Sequence, residues 1–338
     1  MKELVVSIYR HIIPETIRRK YSEKMRDRRI EQANLEEMER CSFGELNKDK
    51  TFYVIRVETD QQWGLFSTYM AVASSAKYAI EHGWIPVVNL KDYYLSIMQN
   101  EENKGKENAW NYYFEDLAPE FPLEQVYQSK NVILGIPRGL PYGGVEWKYG
   151  MDLYGKEFDA YHEIIKKYMR IKPELTEAVE EMYKALFPAG EKVLGVAIRA
   201  GAHWGALVKE KNWEMHTDGF DVEESIQQIK AHLEKYNLQY FFLSCEDEYY
   251  VNKIKETFGE KCLFMERPRY RFFDEDGKPQ TENFRPIREN YKRQDVNIDY
   301  LKETLLLSKC DSFFGTKMGA SRVVFFLKDK RFEQADVL

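Results

Sequence analysis

The stretch Val193–His216, VLGVAIRAGAHWGALVKEKNWEMH, decides how this chain is read. Its first six residues form an unbroken apolar run, short enough for one buried strand. The run stops at Arg199, and a small-residue loop follows: Ala200, Gly201 and Ala202, with His203, Trp204 and Gly205 behind them. An arginine at the carboxyl end of a buried strand sits where open α/β sheets keep their ligands. Its planar guanidinium can donate two hydrogen bonds to one phosphate. It could equally pair with a surface carboxylate, so the neighbouring segments have to decide.

Downstream, the pattern predicts helix Val222–Tyr236, strand Leu238–Cys245, helix Tyr249–Phe258 and strand Cys262–Met265. After a polar excursion from Arg267 to Asp295 come helix Ile298–Lys309, strand Asp311–Gly315 and helix Ala320–Lys328. Upstream, strand Phe52–Val57 leads through a turn at Gly64 into helix Leu65–His82, which Gly83 ends. Strands Ile85–Leu90 and Asn131–Ile136 follow, then a helical region Glu157–Phe187 broken at Pro173. Strands alternating with helices imply parallel sheets covered on both faces. The alternation occurs in each half, and Pro188, Ala189 and Gly190 mark a boundary between them. The expected architecture is two Rossmann-like α/β domains with a cleft between them. A basic helical segment over 1–50 precedes one domain over 51–189 and a second over 190–338.

Of the residues, 43% are hydrophobic and 14% aromatic, which fits a folded chain with a substantial core. A net charge of −6 argues against a general nucleic-acid binder. The charge is uneven: residues 1–30 hold nine Lys or Arg against four acids, +5, so the remainder carries −11. Such a basic, partly apolar start can lie on anionic lipid headgroups, or it can be a solvated helix packed on the domain. The four cysteines are widely spaced with no CxxC pair, which points to a reducing compartment and away from a disulfide framework or zinc site. No apolar run reaches transmembrane length and no secretory signal is evident. The expected location is cytoplasmic, with the inner face of the membrane as the docking surface of residues 1–30.

Three strand ends in the second half carry candidate chemistry. One is Arg199 with His203. Another is FFLSCEDE, ending at Ser244 and Cys245 with Glu246 and Asp247 beyond. The last is SKCDSFFGTKMGASR, where a strand ends at Thr316, a short loop runs through Lys317, Met318 and Gly319, and a helix follows with Ser321 and Arg322 in its first turn. Free N–H groups at a helix start, a glycine and a hydroxyl make an anion site. Beside Arg199 it could grip a pyrophosphate without a metal. The Gly64 turn is a further ligand-facing candidate, although it matches neither GxGxxG nor GxxxxGK[ST]. Trp110, Tyr112 and Tyr113, set among Asn and Glu, could stack on sugar faces or simply anchor a folded loop. Asp274, Glu275 and Asp276 spell a DxD, but Gly277 and Pro279 beside them favour an exposed turn.

VLGVAIRAG, YFFLSCEDE and LKETLLLSKCDSFFGTKMGASRVVFF, in this order and spacing, resemble the donor-binding domain of the fucosyltransferase superfamily. That group includes α1,6- and α1,2-fucosyltransferases, protein O-fucosyltransferases and bacterial polysaccharide-pathway relatives. GLFSTYMAVASSAKYAIEHGWIPVVNL and NAWNYYF resemble the same enzymes, so the likeness covers most of Thr51–Lys328. It implies a GT-B fold and an inverting, metal-independent transfer from a GDP-sugar, most often GDP-fucose. The acceptor would be a glycan or lipid-linked oligosaccharide. It places the donor β-phosphate on Arg199 and the Thr316–Ser321 loop. Glu303, where the family usually has Asp, would read guanine. Where the family carries an acid shortly after the arginine, this chain has Ala200, Gly201, Ala202 and His203. His203, Glu210 and Glu214 are the candidates for a catalytic base. The alternatives are a transferase for another nucleotide sugar and a non-catalytic nucleotide- or glycan-binding relative.

Overall fold

A computed structural model describes residues 15–57, 64–93, 98–139, 141, 154–200, 221–271, 273, 275–277 and 292–338. Of the base candidates, His203, Glu210 and Glu214 lie outside the described residues, as do Gly201 and Asp274.

The described residues open with helix α1 (Glu15–Glu37) and the short strand β1 (Glu39–Cys41). Strand β2 (Phe52–Ile55), helix α2 (Leu65–Glu81) and strand β3 (Ile85–Val88) follow, then the single turn α3 (Leu123–Val126) and strand β4 (Val132–Leu134). These strands form one sheet in the order β1-β4-β2-β3, parallel except for β1, which pairs antiparallel with β4. The region expected as one broken helix is two helices, α4 (Lys156–Tyr168) and α5 (Pro173–Leu186). Pro173 opens α5 in its first turn, where its missing N–H costs nothing.

The second unit runs β5 (Val193–Ile198), α6 (Val222–Tyr236), β6 (Tyr240–Cys245), α7 (Glu248–Phe258) and β7 (Cys262–Phe264). It closes with α8 (Arg293–Lys309), β8 (Ser312–Gly315), α9 (Gly319–Leu327) and β9 (Ala335–Val337). All five strands pair in parallel, in the order β7-β6-β5-β8-β9. Every residue of β5 is buried, as its apolar run requires. Gly195 lets α8 approach β5: a Cβ there would lie 3.2 Å from the Cβ of Cys310. The edge strand β9, which its sequence does not announce, is pinned to α6 by Asp336. That carboxylate accepts from Tyr236 (2.7 Å) and Lys235 (2.5 Å) and lies 3.2 Å from His232 Nε2.

One core cluster runs from Tyr53, Tyr69 and Trp110 in the first unit to Leu306, Phe313 and Phe325 in the second. Helix α9 packs on α2 and α4, and α8 packs on α5. Strand β1 also brings residues 39–41, expected within a separate leading segment, into the first sheet.

At the carboxyl end of β4, a Cβ on Gly135 would fall 2.7 Å from the Val54 carbonyl oxygen and 2.8 Å from the Tyr53 ring. The backbone there cannot yield, because Gly135 N–H donates to that same carbonyl at 2.8 Å. Gly135→Ala should therefore destabilise the protein by about 1–3 kcal/mol. The check is a lower urea midpoint at unchanged slope.

Candidate functional site

The second sheet reverses direction at β5. The chain goes from β5 outward through β6 to β7, then returns to place β8 on the other side of β5. The next described helix after β5, α6, and the helix after β8, α9, lie on opposite faces, and the gap at the two carboxyl ends is where such sheets bind ligands. Arg199 stands at the end of β5, half-buried. Thr316 N–H donates to Ala197 O at 3.0 Å, so the end of β8 is held one step from the arginine.

Helix α9 begins there. Its N-cap, Met318, supplies no side-chain acceptor, so the first N–H groups of the helix have no cap. Thr316 (2% exposed) and Ser321 (0%) flank this start, and neither hydroxyl has a hydrogen-bond partner among the described residues. A buried hydroxyl left unpaired costs free energy unless a ligand or water satisfies it. Gly319 admits the other unit: its Cβ would meet only the Cβ of Phe66, at 3.4 Å. Phe66 lies in the first turn of α2 and its ring meets Tyr300 of α8 edge-on at 4.8 Å. The starts of α2 and α9 thereby converge. Gly64, the N-cap of α2, likewise has no side-chain cap. Its φ of −65° is available to any residue and a Cβ would meet nothing within 4 Å, so glycine here leaves open space, not a special backbone conformation. Arg322 is half-buried in the first turn of α9.

At the end of β6 the two acids separate. Asp247 is fully buried and caps α7, accepting Tyr250 N–H at 3.1 Å. Asp247, expected at the donor site, is thus a helix cap in this structure. Glu246 turns toward β5 and accepts Ala200 N–H at 3.1 Å, fastening the residue after Arg199. Burial raises its carboxyl to about 7; the Arg199 charge works against that rise and the Asp247 charge adds to it.

Beneath lies a buried ion cluster. Glu303 of α8 is fully buried and accepts from Arg267 Nε (3.1 Å) and Nη2 (2.7 Å), Arg269 Nη2 (3.2 Å) and Ser244 Oγ (2.7 Å). Both carboxylate oxygens carry two donors each, which fills their acceptor sites. Glu303, implied as the guanine reader, thereby clamps α8 to β6 and to the segment after β7. Burial opposes the charge of Arg267, but Glu303 outweighs it and holds the guanidinium above the ordinary arginine value; burial lowers that of Arg269. The alternation Arg267-Pro268-Arg269 was the available signal, since residues two apart in extended chain share a face.

The aromatic loop is also corrected. Trp110 and Tyr113 are fully buried. Trp110 packs on Phe114 (4.3 Å) and Tyr69 (6.3 Å) and donates Nε1–H to Glu115 O, while Tyr113 OH donates to Met98 O. Their faces are taken by the core, so they are anchors, not a sugar platform. Tyr112 is half-buried, its hydroxyl bonded to Glu107 and Asn103.

No family model and no curated protein matches this chain. Among solved structures it is similar to an α-1,6-fucosyltransferase, NodZ, co-crystallised with GDP: 14% identity, 82% of this chain and 93% of that one, TM-score 0.49. NodZ from Bradyrhizobium gives 14% identity, 81% and 92% coverage, and 0.46. POFUT1 in complex with GDP gives 10% identity, 86% and 99% coverage, and 0.44. Each TM-score is below 0.5, and the chemistry that follows is drawn from this chain's own residues.

The arrangement can bind an anion: one arginine, two uncapped helix starts and two unpaired hydroxyls meet at a switch point. Among the described residues, no group of three or more His, Cys, Asp or Glu could hold a metal ion. Glu303→Gln should leave two buried guanidinium groups short of their counter-charge, at a cost of about 3–5 kcal/mol. Thermal unfolding of the full chain checks this, with an unchanged midpoint as the contrary result.

Proposed function

We propose that this chain is a glycosyltransferase that moves fucose, or a related sugar, from a GDP donor to a glycan hydroxyl with inversion and without a metal. The observation that carries the reading is the pair of buried, unpartnered hydroxyls, Thr316 and Ser321, at the uncapped start of α9 beside Arg199. Charge developing on the leaving diphosphate would be stabilised by Arg199 and the α9 N–H groups. The acceptor hydroxyl, on a glycan or lipid-linked oligosaccharide, would enter from the Gly64 side, opposite the phosphates. In-line displacement needs its base on that far side. Glu246, bonded to Ala200 N–H beside Arg199, would lie on the phosphate side and position the arginine's loop. The base is assigned to the 201–220 segment, with His203, Glu210 and Glu214 as its candidates.

The occupied acceptors of Glu303 favour a second reading, in which the donor carries a base other than guanine. Calorimetric titration with GDP, UDP and ADP separates the two, and no binding of any of them would overturn both. A chain that binds the donor without hydrolysing or transferring its sugar would be a non-catalytic relative. In the transferase reading Arg199→Ala weakens diphosphate binding ~10–100-fold, the value of a charge-assisted pair. Unchanged affinity removes Arg199 from the site.

Glu246 adds a pH signature. A bound anion disfavours its ionised form, so diphosphate binding should take up a proton and weaken as pH rises through about 7. Glu246→Gln should flatten that part of the affinity profile, leaving only the ligand's own titration. The same raised carboxyl stabilises the fold fully below the unfolded Glu range and loses that contribution as pH rises through about 7. The Gln variant should therefore gain on the parent in thermal stability between about pH 5 and 8.

A further inference from the structure

Helix α1 is docked at its carboxyl end. Asn34 is buried, Glu31 accepts from Tyr78 OH at 3.1 Å and lies 3.1 Å from His82 Nε2, and Glu37 pairs with Arg138 at 3.0 Å. Residues 19–24 and 26–29 are exposed, as are Thr16 and Ile17, with Met25 half-buried. Residues 15–30 thus form an arm of roughly 24 Å at 1.5 Å per residue. The alternative of a solvated helix packed along the domain holds only for its last two turns.

The arm is not uniformly polar. Ile17 (56% exposed), Tyr21 (58%) and Met25 recur at four-residue spacing and share one face. Lys24 and Arg28 lie along one edge of that face, seven and eleven residues from Ile17, and Arg29 lies on its other edge. The acids fall on the opposite side and are neutralised there: Glu23 pairs with Arg19 at 3.5 Å and Asp27 with Arg26 at 3.3 Å. What remains is a largely exposed apolar seam flanked by basic residues for which the described residues provide no ion pair. Isoleucine and tyrosine standing in water this way gain by entering an interfacial layer, and the flanking cations match a negatively charged one.

We propose that α1 docks the protein on anionic lipid bilayers through the Ile17–Tyr21–Met25 seam and its Lys24, Arg28 and Arg29 border. It lies on the surface and does not cross: among the described residues no helix is long and apolar enough to span a membrane. A nucleic acid would match the charge but not the apolar seam. The inference does not depend on which donor the cleft takes, and its test reads binding alone.

The full chain is co-sedimented with vesicles of phosphatidylcholine, and with vesicles of phosphatidylcholine and phosphatidylglycerol in equal parts. Binding should be at least tenfold tighter to the anionic vesicles and should weaken as salt is raised. At about fivefold per basic residue, neutralising all three in Lys24→Gln/Arg28→Gln/Arg29→Gln should cost ~100-fold. Ile17→Ser/Tyr21→Ser should weaken binding even at low salt. These positions are exposed, so circular dichroism and the thermal midpoint should match the parent and exclude misfolding. Equal binding to both vesicles, full binding by either variant, or tighter binding to a DNA duplex than to the anionic vesicles overturns the proposal.

Discussion

The structure depends on β5 being buried on both faces and paired in parallel on both edges. A strand in that position has no free backbone groups and no solvent face, so its residues must be small or apolar throughout. Each parallel partner must be reached by a crossover that returns the chain to the same end of the sheet. The chain makes these crossovers outward in one direction, then in the other. The reversal leaves the carboxyl ends of β5 and β8 side by side with their helices diverging. The site is a product of that reversal. Arg199 is more than a hundred residues of chain away from Thr316 and the start of α9, and they meet because the chain, after crossing over to one side of β5, returns to place β8 on the other.

The polar interior supports this arrangement in a graded way. Glu303 is fully satisfied by Arg267, Arg269 and Ser244, and it ties α8 to the strands on the β6 side. Removing one member of such a cluster costs far more than the intact cluster contributes, so it acts as a register pin. Above it, burial raises the proton affinity of Glu246 against the opposing Arg199 charge and the Ala200 N–H it accepts. Thr316 and Ser321 have no partner at all among the described residues. Satisfaction decreases from the floor of the site to its mouth, the direction in which a ligand would supply the missing bonds.

The order of strands and helices was legible from periodicity, because a fully apolar run of six residues and a 3.6-residue stripe have few other uses. The edge strands β1 and β9 were not. Glu39–Cys41 and Ala335–Val337 are short and half-exposed, and their membership of a sheet rests on partners distant in sequence, Val132–Leu134 and Phe313–Gly315. The site divides likewise. The strand-end arginine and the glycine–serine helix start could be named from local sequence. That Asp247 is a cap while Glu246 faces the arginine could not, since adjacent acids look alike until the strand ends and their directions part.

The sequence by itself determined the α/β class, the buried centre strand, the basic leading helix and the residues at the strand ends. These follow from local composition and spacing, which set how each segment hides its apolar face. Only the tertiary structure decided which charged groups are consumed internally and which remain available. Trp110 and Tyr113 became core, Glu303 became a clamp, and Thr316 and Ser321 were left without partners. The physical reason is that the number of hydrogen bonds a group has left depends on neighbours that are remote along the chain. No pattern within a segment records them.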